Sequence, residues 1–581
     1  MRQSNYDKFP TTTVPDTAGE ACAGWESIGD ALRAALRRRS GHTIVFECYP
    51  GVLLENVLDR VREMFPGALL INSAAAMLDA GAIEKLLAHE TWPADPVFGR
   101  MTTRSLSALF DPTRLAGLLR QLESHAGLVV VFGIGASLLS AGDLLVYLDM
   151  ARWEIQQRQR NHEVDSIGCD DRDRSAWELY KRGFFADWRL ADANKRQIFG
   201  QVDFFLDTND RHSPKLAGGD AVRRGLAECA LRPIRVVPFF DPGVWGGKWM
   251  MEVCDLDRSA PNYAWCFDCV PEENSLLLLI GGQRIELPSI NLVHQHPAAL
   301  LGDDVFARFG AEFPIRFDFL DTIDGGNLSL QVHPLKDYMQ NTFGLPYTQD
   351  ESYYMLDAGN EASVYLGFKD AVNPDAFVAA LNRAQSDPAS PLDVGKFVNR
   401  FPAKKHDHFS IPAGTIHCSG RNAMVLEISA TPYIFTFKLW DWGRLDLNGK
   451  PRPISISHGQ QNLDYTRDTK WTAKYLVNPT QPIAEGAGWR EERTGLHASQ
   501  FIETRRHWFT VPVTHHTNGS VNVINLVEGE AAIVESPSGA FEPFEVHYAE
   551  TFIVPAAVGE YSIRPKTSQA PCATLKASIR S

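Results

Sequence analysis

From about residue 42 to residue 232, short β-branched and apolar runs alternate with longer stretches of helical pattern. The runs are Thr43-Ile44-Val45-Phe46, Ala68-Leu69-Leu70-Ile71, Leu128-Val129-Val130-Val131-Phe132, Leu144-Leu145-Val146-Tyr147-Leu148 and Val202-Asp203-Phe204-Phe205-Leu206. Their apolarity is continuous rather than alternating, which predicts strands covered on both faces in a parallel sheet flanked by helices. The longest apolar run, 127–139, is shorter than the ~20 residues a membrane-spanning helix needs and is interrupted by Gly133 and Gly135, so it predicts a buried strand and its turn.

After Pro233 the pattern changes. Helical stretches thin out, and strand-length segments follow one another with turn signals between them, which predicts antiparallel β structure. Residues 373–401 are the exception: Pro374-Asp375-Ala376-Phe377-Val378-Ala379-Ala380-Leu381 opens a helix, and 392–401 is expected to supply a second. Within this half, Phe409-Ser410-Ile411-Pro412-Ala413-Gly414-Thr415-Ile416-His417 lies over Phe552-Ile553-Val554-Pro555-Ala556-Ala557-Val558-Gly559-Glu560, with Glu560 where the first copy has His417. Two copies of one β unit are expected. The division is a leading segment 1–40, an α/β domain 41–232, a mainly β domain 233–480 with the helical insert, and a second β domain 481–581.

At 581 residues the chain has room for three or four cores. A net charge of -14, with no basic block longer than Arg37-Arg38-Arg39, argues against nucleic acid and anionic lipid as partners. Nine cysteines are an odd number and make no disulfide framework, and residues 1–15 contain no apolar signal-like stretch, so a cytoplasmic protein is expected.

In Gln331-Val332-His333 the two polar side chains sit two apart in a strand context, so both point to one face. Glu351 stands just before the apolar run Ser352-Tyr353-Tyr354-Met355-Leu356, and His417 ends the Pro-Ala-Gly-Thr-Ile-His turn. Two imidazoles, a carboxylate and an amide oxygen suit a borderline divalent ion, Zn²⁺ first. Each also has a plainer role: a histidine can hydrogen-bond a turn, and a Gln-x-His pair can line a rim. The rival pairs His294 with His296 and His406 with His408 are expected to be solvated, and Cys266 with Cys269 is a lone C-x-x-C without the second pair a zinc ribbon needs.

The motifs Val244-Trp245-Gly246-Gly247, Phe319-Leu320-Asp321, Leu328-Ser329-Leu330-Gln331-Val332-His333-Pro334, Tyr354-Met355-Leu356-Asp357, Ile411-Pro412-Ala413-Gly414-Thr415-Ile416-His417, Val425-Leu426-Glu427-Ile428 and Leu439-Trp440-Asp441-Trp442-Gly443-Arg444, with Gly449-Lys450-Pro451-Arg452, occur in this order. Together they resemble the class I mannose-6-phosphate isomerases over about 235–581. The resemblance implies two cupin-type β-barrels, the second without a metal site, and one zinc ion on Gln331, His333, Glu351 and His417. It further implies interconversion of mannose 6-phosphate and fructose 6-phosphate through a cis-enediol. Glu427, Lys438 and Arg444 would then be the catalytic residues, with Ser329 near the sugar phosphate; their structural alternatives are a buried ion cluster and a strand hydroxyl bonded to backbone. Two positions depart from the family. Gln349 stands where a phosphate-binding lysine is usual, and Lys438 where an arginine is usual, although a lysine lacks the guanidinium fork.

The α/β domain resembles P-loop nucleoside and nucleotide kinases in degenerate form. After its first strand the chain reads Glu47-Cys48-Tyr49-Pro50-Gly51-Val52-Leu53, without the lysine and hydroxyl that hold phosphate and magnesium. A non-catalytic domain is expected there. These departures keep two alternatives open for the whole chain: a metal-containing sugar-binding or regulatory protein, and an isomerase of a different sugar.

Overall fold

The structure is a computed structural model that describes residues 4–387, 389–446, 449 and 452–580. Lys450 and Pro451 of the Gly449 to Arg452 motif lie outside the described residues. The chain divides into two compact units, one of residues 11–229 and 272–295, the other of 4–10, 230–271 and 296–580. The α/β unit thus draws on chain from beyond residue 233, where the composition changes. No helix among the described residues is long and apolar enough to cross a membrane.

The α/β unit is built on a seven-stranded sheet. Five strands are parallel, in the order Phe204–Asp207, Leu144–Leu148, Thr43–Cys48, Val129–Gly133, Leu69–Asn72. The antiparallel strands Lys215–Gly218 and Ala21–Ala23 extend one edge. The continuous apolar runs are buried in the three middle strands, as two-sided covering requires. Where the first strand ends, Glu47 is buried and accepts from the N–H groups of Gly135 and Ser137 at 2.8 and 2.7 Å. Burial lifts its carboxyl to about 7 against those bonds.

Beyond this exit lies a buried charged network. Lys195 Nζ is 3.1 Å from Asp149, Arg152 is 2.7 Å from Asp192, and the Tyr49 hydroxyl donates to Asp192 at 2.9 Å. The later segment adds the hairpin Ser275–Ile280 and Gln283–Pro288, closed by Gly281 and Gly282 with φ of 54° and 80°. Positive φ at both central residues is the two-residue hairpin geometry for which glycine is favoured.

In the other unit the β strands form four main sheets, and among the described residues none closes into a barrel. The expected barrels are therefore open pairs of sheets. The first pair has a six-stranded sheet, in the order His408–Ile411, Glu351–Ala358, Ala423–Ala430, Ile315–Asp321, Trp265–Cys269, Phe239–Asp241. Its partner has five strands, Val398–Pro402, Ser363–Phe368, His417–Ser419, Leu330–Val332, Phe437–Trp440. The second pair has six and four strands and encloses a core that includes Phe509, Ile524, Leu526, Val534, Phe552 and Ile563.

The internal repeat is visible in this layout. His408–Ile411 lies in the larger sheet of its pair and His417–Ser419 in the smaller; Thr551–Val554 and Glu560–Pro565 repeat that arrangement. His417 is buried and Glu560 exposed. The insert has the helix Pro374–Ser386, capped by Asn373 accepting from the Ala376 N–H. The expected second helix is a single turn, Val394–Phe397, because the chain then enters the strand Val398–Pro402.

Candidate metal centre and its surroundings

Leu330–Val332 is a short buried strand, so Gln331 and His333 alternate with Val332 and reach the same side. Gln331 pairs directly with His417 on one neighbouring strand and with Lys438 on the other. The turn before His417 runs through Gly414, whose φ is 89° and whose N–H donates to the His333 carbonyl at 3.0 Å. A Cβ at Gly414 would lie 2.8 Å from Leu335, so the turn that brings the His333 and His417 segments together requires glycine. Glu351 enters from the facing sheet, paired with Ile411 and Ser429.

The three side chains meet in full burial. His417 Nε2 is 2.6 Å and His333 Nε2 3.1 Å from Glu351 Oε1, and the imidazole centroids are 5.0 Å apart. Neither contact has hydrogen-bond geometry: His333 Nε2 and both Glu351 oxygens are buried without a hydrogen-bond partner. The outer nitrogens explain this. His417 Nδ1 faces the Thr415 carbonyl at 2.9 Å and His333 Nδ1 the Phe435 carbonyl at 3.3 Å. A carbonyl can only accept, so each Nδ1 carries the hydrogen and each Nε2 turns a lone pair inward.

Three acceptors therefore converge with no hydrogen between them, an arrangement a divalent cation stabilises. Protonating one imidazole would satisfy one contact and leave the other. His333, Glu351 and His417 form the one group of three or more His, Cys, Asp or Glu among the described residues that could hold a metal ion. Burial alone would raise the Glu351 pKa; a proton taken up by His333 or His417 would outweigh burial and hold the carboxyl well below the usual range. Gln331 lies beside them, its amide nitrogen 3.2 Å from His417 Nε2 and its oxygen accepting from the Ser329 hydroxyl at 3.3 Å.

Next to the triad is a second buried cluster. Glu427 is cross-strand neighbour to Asp318 on one side and to Tyr353 on the other. Arg316 donates to Asp318 at 2.9 Å, lies 3.7 Å from Glu427 and sits over the Tyr433 ring at 4.7 Å. The Ser429 hydroxyl donates to Glu427 at 2.9 Å. Burial pushes the Asp318 carboxyl up to about 6, with Arg316 opposing and Glu351 adding to it. Burial, then Asp318 and Glu351, raises Glu427 well above the ordinary range.

The Gln349 amide has two orientations. One donates to Glu427 at 3.4 Å; the opposite one donates to the Tyr433 carbonyl at 3.1 Å and accepts from Arg316 at 3.3 Å, which uses both ends of the amide. The second is preferred on that ground. On the other sheet the Lys438 ammonium has no hydrogen-bond or ion-pair partner among the described residues. Burial first, then Arg452 and Arg444, bring its ammonium down to about 8, with Asp441 opposing. Arg444 is tied to Asp441, which also binds Arg452.

Arg316 and Asp318 were missing from the sequence-derived set. Their signal was two charges at alternate positions of the otherwise apolar strand Ile315-Arg316-Phe317-Asp318-Phe319, a pattern that places both on one face. The rival histidines also need correction. His408 is buried, with Nε2 2.9 Å from the Ser352 hydroxyl, and His406 contacts the Tyr354 hydroxyl at 2.8 Å and Glu528 at 3.1 Å. His294 lies in the helix Ile290–Gln295, where burial lowers its pKa to about 3. None of these three is a solvated turn residue. Cys266 and Cys269 are buried and in no disulfide.

A family model described as Domain of unknown function (DUF8485) matches residues 24–231. Mannose-6-phosphate isomerase ManA of Bacillus subtilis is 24% identical over 341 residues, covering 57% of this chain and 95% of that protein. Mannose-6-phosphate isomerase of Streptococcus mutans is 24% identical over 223 residues, covering 38% of this chain and 63% of that protein. The crystal structure of mannose 6-phosphate isomerase from Bacillus subtilis aligns with 60% of this chain and 100% of its own, at 19% identity and a TM-score of 0.48. Mannose-6-phosphate isomerases are thus homologues of this chain, at low identity.

Proposed function

We propose that residues 233–271 and 296–480 form an aldose–ketose isomerase that interconverts mannose 6-phosphate and fructose 6-phosphate, with one divalent ion, zinc first, on Gln331, His333, Glu351 and His417. The observation that carries this reading is the convergence of two inward Nε2 lone pairs on the Glu351 carboxylate, each imidazole fixed from behind by a carbonyl. The names of the homologues support the substrate. Turning the Gln331 amide would bring its oxygen toward the same point. Bound there, the ion would supply positive charge where negative charge develops on the sugar oxygens.

The remaining roles belong to the chain's own groups. Glu427 would move the proton between C1 and C2 of the sugar, a task suited to a carboxyl whose pKa burial has lifted. Lys438, on the strand next to Gln331, would hold the sugar oxygens, and Arg444 would be positioned by Asp441. Ser329 and Gln349 would line the phosphate end. A second reading, an isomerase of an unphosphorylated sugar, is favoured by Gln349, an uncharged amide already engaged by Arg316 and Tyr433.

A coupled assay of the purified chain with mannose 6-phosphate, fructose 6-phosphate and free mannose separates these. Conversion of the phosphorylated sugars alone supports the first reading, and conversion of free mannose at equal or greater kcat/KM supports the second. No turnover of any of the three, in metal-replete protein, would leave a binding protein and overturn both.

A further inference from the structure

We propose that a second ligand site, lined by none of the metal-centre residues, takes a ring-bearing organic monophosphate. A cavity of about 570 Å³ is lined by Arg308, Phe309, Lys336, Tyr347, Asp350 and Gln500 among others. Gln331, His333, Glu351, His417 and Glu427 are not among its lining residues.

One wall of the cavity is aromatic. Phe309, Tyr347 and Phe501 form a three-ring cluster with centroid separations of 4.9 Å for Phe309 to Phe501, 5.3 Å for Phe309 to Tyr347 and 5.9 Å for Tyr347 to Phe501. The guanidinium of Arg308 lies 5.0 Å from the Phe309 ring and 5.1 Å from Phe501. Such a wall takes the face of a flat or ring-shaped body, and the cation beside it takes that body's charged substituent.

The polar lining selects an anion. Arg308 and Lys336 have no acidic partner among the described residues, whereas Arg580 is paired with Glu503 at 2.6 Å. Gln500, 3% exposed, carries an amide whose nitrogen and oxygen both lack a hydrogen-bond partner. It lies near Asp350 without hydrogen-bond geometry. A buried amide of this kind costs free energy unless a ligand satisfies it.

The acids nearby are engaged. Asp350 accepts from the Ala413 N–H at 2.8 Å. Glu312 accepts from the Tyr347 hydroxyl at 3.0 Å. A doubly charged phosphate thus meets two unpaired cations and an amide donor, while the rings cover its organic part.

Isothermal titration of the full chain with phenyl phosphate, and separately with inorganic phosphate, tests the site. Phenyl phosphate should bind one to one and at least tenfold more tightly than inorganic phosphate. Joint Arg308→Gln and Lys336→Gln substitution, at two exposed positions that leave the core untouched, should weaken it at least tenfold. Phe501→Leu should remove the preference for the aryl compound. No binding at millimolar concentration, equal affinity for the two anions, or full affinity in the Arg308/Lys336 double variant would overturn the proposal. So would loss of binding on Lys438→Met, which would move the anion to the metal-bearing interior.

Discussion

Glu351 Oε1 and His417 Nε2 lie 2.6 Å apart although they belong to different sheets, the carboxylate to the six-stranded and the imidazole to the five-stranded one. A metal held between them would tie the two sheets together. His417→Ala should therefore lower metal occupancy sharply, by elemental analysis, and remove the metal's contribution to stability. That contribution is about 2.7 kcal/mol when free metal is 100 times its Kd. Circular dichroism should show the β structure retained. Unchanged metal content would place the ion elsewhere.

Arg316 lies among three buried carboxylates, Asp318, Glu427 and the nearby Glu351. Removing one partner of a buried pair costs about 3–5 kcal/mol, whereas replacing both with apolar groups is often close to neutral. Arg316→Leu should accordingly lower the urea-unfolding free energy by that amount, and Arg316→Leu with Asp318→Leu should recover most of it. Equal loss in the single and double variants would show that Arg316 acts by packing on Tyr433 rather than by charge.

Lys438 gives the site a pH signature. Its ammonium, brought down to about 8, is protonated below that pH and neutral above it. If the charged form holds substrate, kcat/KM falls as pH rises through about 8. A guanidinium stays charged throughout this range, so Lys438→Arg should move the alkaline limb above pH 10. An alkaline limb that stays in place would assign it to another group.

The Gln349 position has its own test, because Arg316 Nη1 is 3.3 Å from the amide oxygen in the preferred orientation. A lysine there would meet Arg316 as a like charge, and Glu427 is available to pair with it. Gln349→Lys alone should leave KM for phosphorylated sugars within about threefold. Combined with Arg316→Leu it should lower KM, since a charge-assisted contact to phosphate contributes about 1.5–3 kcal/mol when fully formed. A lower KM from the single substitution would show that Arg316 does not occupy the phosphate end.

The parallel strands were legible because two-sided burial writes unbroken apolar runs; Leu144–Leu148 has the bounds the sequence suggested. Other edges moved by a residue or two, as with Phe204–Asp207, whose expected run began at Val202. The hairpin Ser275–Ile280 with Gln283–Pro288 was not legible as part of the α/β unit, since that placement depends on packing far along the chain. At the site, Gln331 and His333 could be put on one face by strand periodicity. Their meeting with Glu351 required the facing sheet, which no local pattern encodes. Arg316 and Asp318 were visible only as an alternation within an apolar strand, and His408 was misjudged because Lys404-Lys405-His406-Asp407-His408 looks polar throughout while its last residue begins a buried strand.

The most direct test is turnover of mannose 6-phosphate by one preparation before chelation, after chelation and after zinc is restored, with metal content measured at each stage. The account predicts about one divalent ion per chain, loss of at least 99% of the activity with the metal, and recovery on adding zinc. Full activity in protein shown to be metal-free would contradict it.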